Sequence, residues 1–266
     1  MALTTIKSRN VINLVKPFKV SRTKYYLLTE LCNGGDLQRL LNIRARLDED
    51  DVKIIMAQII QGMKDMNDAC FMHRDLKLAN ILLHFPHHNL LELDKTEREE
   101  FLLTFNIKET PFLVKISDLG FAKKFSNITE SMKFTICGTT AYMPPDQLIN
   151  NDQHYTEKFD IWSLGVIFYE LVHGKLSFSA RDMYSFKKTL ERGIYEFPDN
   201  INISPEAILL ISKCLQSDEK FRASIDDLYS DPYFTPFIEK HKYDNNFEMF
   251  RMISNSSTSD TLKQSE

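Results

Sequence analysis

Apolar positions along this chain follow two different periods. Val52, Ile55, Ile59, Met63 and Met66 recur at spacings of three and four, which predicts a long amphipathic helix with one buried stripe. The methionines in that stripe are core residues, not a cofactor box. The acidic run Asp48-Glu49-Asp50-Asp51 just ahead of it suits the positive end of a helix dipole and marks the start. A second stretch, Asp160-Ile161-Trp162-Ser163-Leu164-Gly165, runs on through Val166, Ile167, Phe168 and Leu171 and holds the only tryptophan. A helix this apolar lies at the centre of a core. Further helices are predicted over 180–192 and 205–216. Shorter apolar runs read as strands: Val11-Ile12-Asn13-Leu14-Val15, Tyr25-Tyr26-Leu27-Leu28, Ile81-Leu82-Leu83 and Leu113-Val114-Lys115-Ile116. The β-rich stretch from Tyr25 to Leu31 is broken by Cys32-Asn33-Gly34-Gly35-Asp36, where Asn-Gly-Gly admits positive φ and a sharp change of direction.

Composition narrows the class. The 266 residues suit one large domain or two small ones, and the 43% hydrophobic content is enough for a substantial core. A net charge of -4 argues against a nucleic-acid partner gripped by bulk charge. No apolar run approaches the roughly 18 residues of a membrane helix. Cys32, Cys70, Cys137 and Cys214 are far apart and make no paired ligand pattern, which fits a reducing, cytoplasmic setting. The first 29 residues carry Lys7, Arg9, Lys16, Lys19, Arg22 and Lys24 and no acid. That bias can mark a transit peptide, but two predicted strands run from it straight into the turn at Asn33, so it is read as part of the fold.

One loop concentrates chemistry. His73-Arg74-Asp75-Leu76-Lys77-Leu78-Ala79-Asn80 offers a carboxylate that can accept a hydroxyl proton, a lysine that can neutralise phosphate, and a carboxamide oxygen for a hard cation. Asp118-Leu119-Gly120 adds a second carboxylate after the strand that ends at Ile116. Together these segments resemble the catalytic and metal-binding loops of eukaryotic protein kinases. The resemblance covers roughly residues 10 to 235. It implies an α+β, protein-kinase-like fold with a complete, mainly helical large lobe and only part of the small-lobe sheet. The cofactors implied are ATP and Mg²⁺ and the partners protein substrates, with phosphate transferred to Ser or Thr. Asp75 would orient or deprotonate the substrate hydroxyl, Lys77 would assist, and Asn80 and Asp118 would hold Mg²⁺. The backbone of Glu30 and Cys32 would bond the adenine edge, Asp36 the ribose, and Leu82 would line the nucleotide site, with Thr29 as gatekeeper. Thr139 in Cys137-Gly138-Thr139 would dock substrate, Thr135 would be the activation phosphosite, and Arg74 would pair with that phosphate. Asp160 would bond the catalytic-loop backbone and Asp146 would reach Arg222. Glu30-Leu31-Cys32-Asn33-Gly34-Gly35-Asp36-Leu37 with Asp118-Leu119-Gly120-Phe121-Ala122 looks like the unc-51-like, autophagy-initiating group.

The chain also departs from that pattern. The segment 84–111 holds an acidic patch at 92–100 and a short helix predicted around 97–103. It is expected as a surface insertion open to a regulatory partner. His84, His87 and His88 within it raise zinc, but no Cys lies nearby and a zinc site wants about four ligands. Upstream of the Asn33 turn there is no Gly-rich phosphate loop, strand lysine or helix glutamate. Ile6-Lys7-Ser8-Arg9-Asn10-Val11-Ile12 fits the end of that helix and the strand after it. The expected organisation is a partial small lobe over 1–31, hinge and large lobe over 32–235, and a polar, disordered tail over 236–266. The alternative to a kinase is an inactive truncated kinase or pseudokinase that serves as a scaffold.

Overall fold

A computed structural model describes residues 2–19, 25–124, 140–149, 156–178, 183–192, 197 and 201–243. Helix α1 (Ala2–Thr5) opens the chain, followed by strands β1 (Leu14–Lys19) and β2 (Tyr25–Thr29) paired antiparallel, with a bulge between Leu14 and Lys16. The first strand thus begins later than expected. The physical reason lies in residues 10–12, which pair elsewhere. Ile116 N donates to Asn10 O and Ile12 N to Ile116 O, both at 2.8 Å, so Val11 bridges the edge of a different sheet.

Helices α2 (Leu37–Arg44) and α3 (Glu49–Asp68) come next. Every member of the predicted α3 stripe is buried. Strand β3 (Phe71–Met72) pairs with β6 (Lys123–Lys124), and β4 (Ile81–His84) pairs with β5 (Leu113–Ile116), Ile81 facing Ile116. Helix α6 (Lys158–His173) is buried along almost its whole length and ends on the left-handed Gly174. It lies so close to α8 (Pro205–Cys214) that a Cβ on Gly165 would stand 2.6 Å from that of Cys214. Helices α5 (Pro145–Ile149), α7 (Met183–Arg192), α9 (Ile225–Tyr229) and α10 (Thr235–Tyr243) complete the described part. The α+β class that the resemblance implies is the class observed.

Two expectations change. The insertion does not lie wholly on the surface. Its helix α4 (Lys95–Thr104), closed by an Asp94–Glu97 capping box, lies near the predicted position, but Phe85, Leu90, Leu102, Phe105 and Ile107 are buried. Phe85 meets Phe101, Phe105 and Phe112 with ring centroids 5.1, 5.0 and 6.0 Å away, and Arg44 of α2 lies 4.4 Å over the Phe105 ring. His88 packs on Phe101 at 4.9 Å. Nor does the fold stop at 235: α10 packs on α3 with Ile238 buried. Here Asn10, fully buried, joins four elements. Its side chain donates to Val114 O at 2.9 Å and Gln58 Oε1 at 3.3 Å, and shares a hydrogen bond with His241 Nε2 at 3.1 Å. Arg9 Nη1 donates to His241 O at 2.7 Å. Residues 244–266 of the expected tail lie outside the described residues.

Candidate active site

The loop after β3 is held from below. Asp160, in the first turn of α6, accepts His73 N at 2.7 Å and Arg74 N at 2.8 Å. Burial pushes its carboxyl up, and His73 together with the two amide bonds pulls the other way. His73, wholly buried, accepts Asp75 N on Nδ1 at 3.3 Å, so its Nε2 carries the proton and donates to Ser117 O at 2.8 Å. Arg74 sits at φ 68°, an uncommon value for a side-chain-bearing residue, and its Nε donates to Phe121 O at 2.6 Å. The backbone twist at Arg74 thus ties this loop to the segment that follows Asp118.

Asp75 is fixed on one oxygen only. Oδ2 accepts Lys77 Nζ at 2.8 Å and Asn80 Nδ2 at 3.0 Å. Oδ1 has no partner among the described residues and is left for a hydroxyl. Asn80 Nδ2 also donates to Asp75 O at 2.8 Å. With both bonds made by Nδ2, the side-chain oxygen Oδ1 of Asn80 has no partner among the described residues. The β4–β5 register then brings the second carboxylate alongside: Asn80 immediately precedes Ile81, and Asp118 lies two residues past Ile116. Ser117 locks that junction, N and Oγ both donating to Asn80 O at 2.8 and 2.9 Å. Asp118 is exposed, in left-handed backbone (φ 57°, ψ 60°), with Leu119 buried behind it. Asp118 Oδ1 accepts Gly120 N at 3.4 Å, and its other oxygen has no partner among the described residues. An amide oxygen and a carboxylate at one end of a hairpin are the hard oxygen donors that Mg²⁺ takes, so the residues present fit that ion.

The hinge runs beside the same hairpin. Gly34 N donates to Leu83 O at 2.9 Å and Leu83 N to Gly35 O at 2.8 Å, which sets Leu82, half-buried, against the hinge. Glu30 N is taken by Asn13 O, leaving its carbonyl and the Cys32 N–H without partners among the described residues. Asp36 caps α2, its Oδ1 accepting Arg39 N at 2.8 Å, and its other oxygen has no partner among the described residues. Burial, with Glu30 nearby, pushes the Cys32 thiol up to about 12, and it stays protonated. Thr29 ends β2. Asp146 reaches Arg222 Nη2 at 2.9 Å, as its shorter carboxylate was expected to. Thr135 and Thr139 lie outside the described residues.

Three residues here escaped the sequence reading. Lys115, 3% exposed, pairs with Glu30 at 2.8 Å under the hinge. Ser117 holds Asn80. Asn33, read as a turn residue, uses its whole side chain on the insertion: Oδ1 accepts Phe85 N at 2.8 Å, and Nδ2 donates to Phe85 O at 3.0 Å and His88 O at 2.7 Å. A buried-strand lysine in an apolar run was the one signal that could have flagged Lys115. Nothing local points to the other two.

Residues 1–234 match the family described as Protein kinase domain. Among curated relatives, the probable serine/threonine-protein kinase CCRP1 of Zea mays is 32% identical over 229 residues, covering 86% of this chain and 32% of that protein. The serine/threonine-protein kinase unc-51 of Caenorhabditis elegans is 31% identical over 235 residues, 88% of this chain and 25% of that one. ULK1 of Homo sapiens is 30% identical over 246 residues, 90% of this chain and 21% of its own. The chain therefore spans about a third or less of the length of these relatives.

Proposed function

This chain belongs to the protein kinase domain family, and from that membership we propose that it is a serine/threonine kinase module in which Asp75 orients a protein hydroxyl and receives its proton as ATP γ-phosphate is transferred. The observation that carries the reading is the asymmetry of Asp75: Oδ2 is held by Lys77 and Asn80 while Oδ1 is open. A carboxylate pinned on one side presents its other lone pairs in a fixed direction, which suits positioning and proton acceptance. Lys77 balances charge beside it. Asn80 and Asp118 would hold Mg²⁺, which when bound offsets phosphate charge. The Glu30 carbonyl and Cys32 N–H would take the adenine edge, Leu82 its face and the second oxygen of Asp36 the ribose.

Finer assignments follow from the same resemblance. Thr135 is the proposed activation site and Thr139 the docking hydroxyl. A phosphate adds roughly -1.5 to -2 charge, and Arg74, already linking the two loops, stands beside Asp75 to meet it. Phosphopeptide mapping of active protein should find Thr135 modified. Sites at Ser126, Thr129 or Ser131 alone would count against it. The hinge motif and Asp118-Leu119-Gly120 support an unc-51-like placement, and the four scattered cysteines support a cytoplasmic setting.

The test is Asp75→Asn in a radiolabelled transfer assay. Losing the proton acceptor should lower kcat about 10²- to 10⁴-fold while nucleotide affinity stays within two-fold. A variant that keeps most wild-type turnover would sink the assignment. One observation favours the scaffold reading instead: residues 1–31 contain no glycine, so they hold no phosphate loop. Nucleotide binding without transfer, in wild type and variant alike, would support that reading.

A further inference from the structure

Away from this site, a cavity of about 500 Å³ opens between α3, the end of the insertion and α10. Its apolar wall comes from Ile54, Ile107, Phe112 and Phe237. Its size is that of a small-molecule site. At its floor lies Gln58, 4% exposed. The orientation of that amide is fixed, because Oε1 accepts both Val114 N at 2.8 Å and Asn10 Nδ2 at 3.3 Å. Its Nε2 therefore carries the two protons, and it donates to nothing among the described residues. Gln61, one turn along the same helix, shows the contrast: its Nε2 donates to Asp65 at 2.7 Å and its Oε1 accepts Tyr229 OH at 3.4 Å. Because Gln58 lines the cavity, that amide is placed to donate to an oxygen entering it. On the rim Asp50 is already shared between Lys53 and Lys108. Exposed Lys240 and Glu109 have no ion-pair partner among the described residues.

We propose that this cavity is a ligand site for a small aromatic molecule bearing an acceptor oxygen, a carboxylate or amide carbonyl, with the ring on Phe112 and Phe237 and the oxygen on Gln58 Nε2. Eight of its twelve lining residues belong to the insertion and to α10. The site lies away from the candidate active site, and it stands or falls independently of phosphoryl transfer.

The test uses the full chain, with phenylacetate and phenylacetamide as probes and phenethylamine, which has the ring but no acceptor, as control. Ligand-observed NMR should give a Kd on the order of 1 mM for at least one oxygen-bearing probe, at least five-fold tighter than for phenethylamine and unchanged by saturating Mg-ATP analogue. Gln58→Glu keeps the acceptor for Asn10 and Val114 but removes the donor, and should weaken the better probe at least five-fold. Should that variant melt early, Ile54→Trp, which fills the cavity from its partly exposed side, should abolish binding instead. Equal affinity for phenethylamine, displacement by nucleotide, no binding of either probe, or binding that survives the folded variants would each overturn the proposal.

Discussion

Asn33 shows how much a single side chain can carry that its neighbours in sequence do not announce. Between Cys32 and Gly34 it reads as a turn former. In the fold its amide reaches residues 85 and 88 and satisfies three backbone groups. Asn33→Ala should therefore lower stability by roughly 1–3 kcal/mol in urea unfolding. Asn33→Asp, which keeps the acceptor for Phe85 N but sets a carboxylate against two carbonyls, should be no better than alanine. An aspartate variant as stable as wild type would refute this account. Glu49 gives a prediction in pH. Burial favours its neutral form, yet hydrogen bonds from Ser204 N and Oγ, Tyr233 OH and Lys53 outweigh that and hold its carboxyl below the ordinary value. A depressed folded value means the stabilisation is present above the unfolded pKa, near 4.3, and is lost as pH falls through the folded one. Glu49→Gln should flatten the fall in stability below about pH 4.5, measured by thermal melts against pH. An unchanged slope would remove Glu49 from that account. At this scale Asp75, Asn80, Asp118, Asp146 and Asp160 were legible, because short motifs fix them. Lys115, Ser117 and Asn33 were not, because their partners lie 85, 37 and 52 residues away.

Helices with a clean apolar stripe were readable as elements, and so was the short helix of the insertion; how the insertion packs was not. Its apolar residues follow no single period and declare themselves only by packing on Phe85. That ring also touches the hinge: a Cβ on Gly34 would lie 2.5 Å from Phe85 Cε2 and 2.9 Å from Leu83 Cβ. Glycine is required there by close approach. Phe85→Ala should cost about 3–5 kcal/mol and Gly34→Ala about 1–3 kcal/mol. The double variant should be less destabilised than the sum, since removing the ring makes room for the methyl. Strict additivity in a double-mutant cycle would show that hinge and insertion do not press on one another. Similar reasoning explains α10. Its apolar positions are sparse and its burial depends on Asn10 and α3, both distant in sequence.

Taken whole, the molecule has an elaborated large lobe and, among the described residues, a two-stranded sheet with Val15, Tyr26, Leu27 and Leu28 exposed. No described helix is long and apolar enough to cross a membrane. The family-level outline was legible because its motifs are local. The junction at Asn10 was not, and it bears on how the protein is made. Residues 9 and 10 leave the ribosome well before His241, which they bond and which lies 231 residues later. At 5–20 residues per second, roughly ten to fifty seconds separate them. Through that interval Ile6, Val11 and Ile12, buried in the finished fold, have at most part of their final cover.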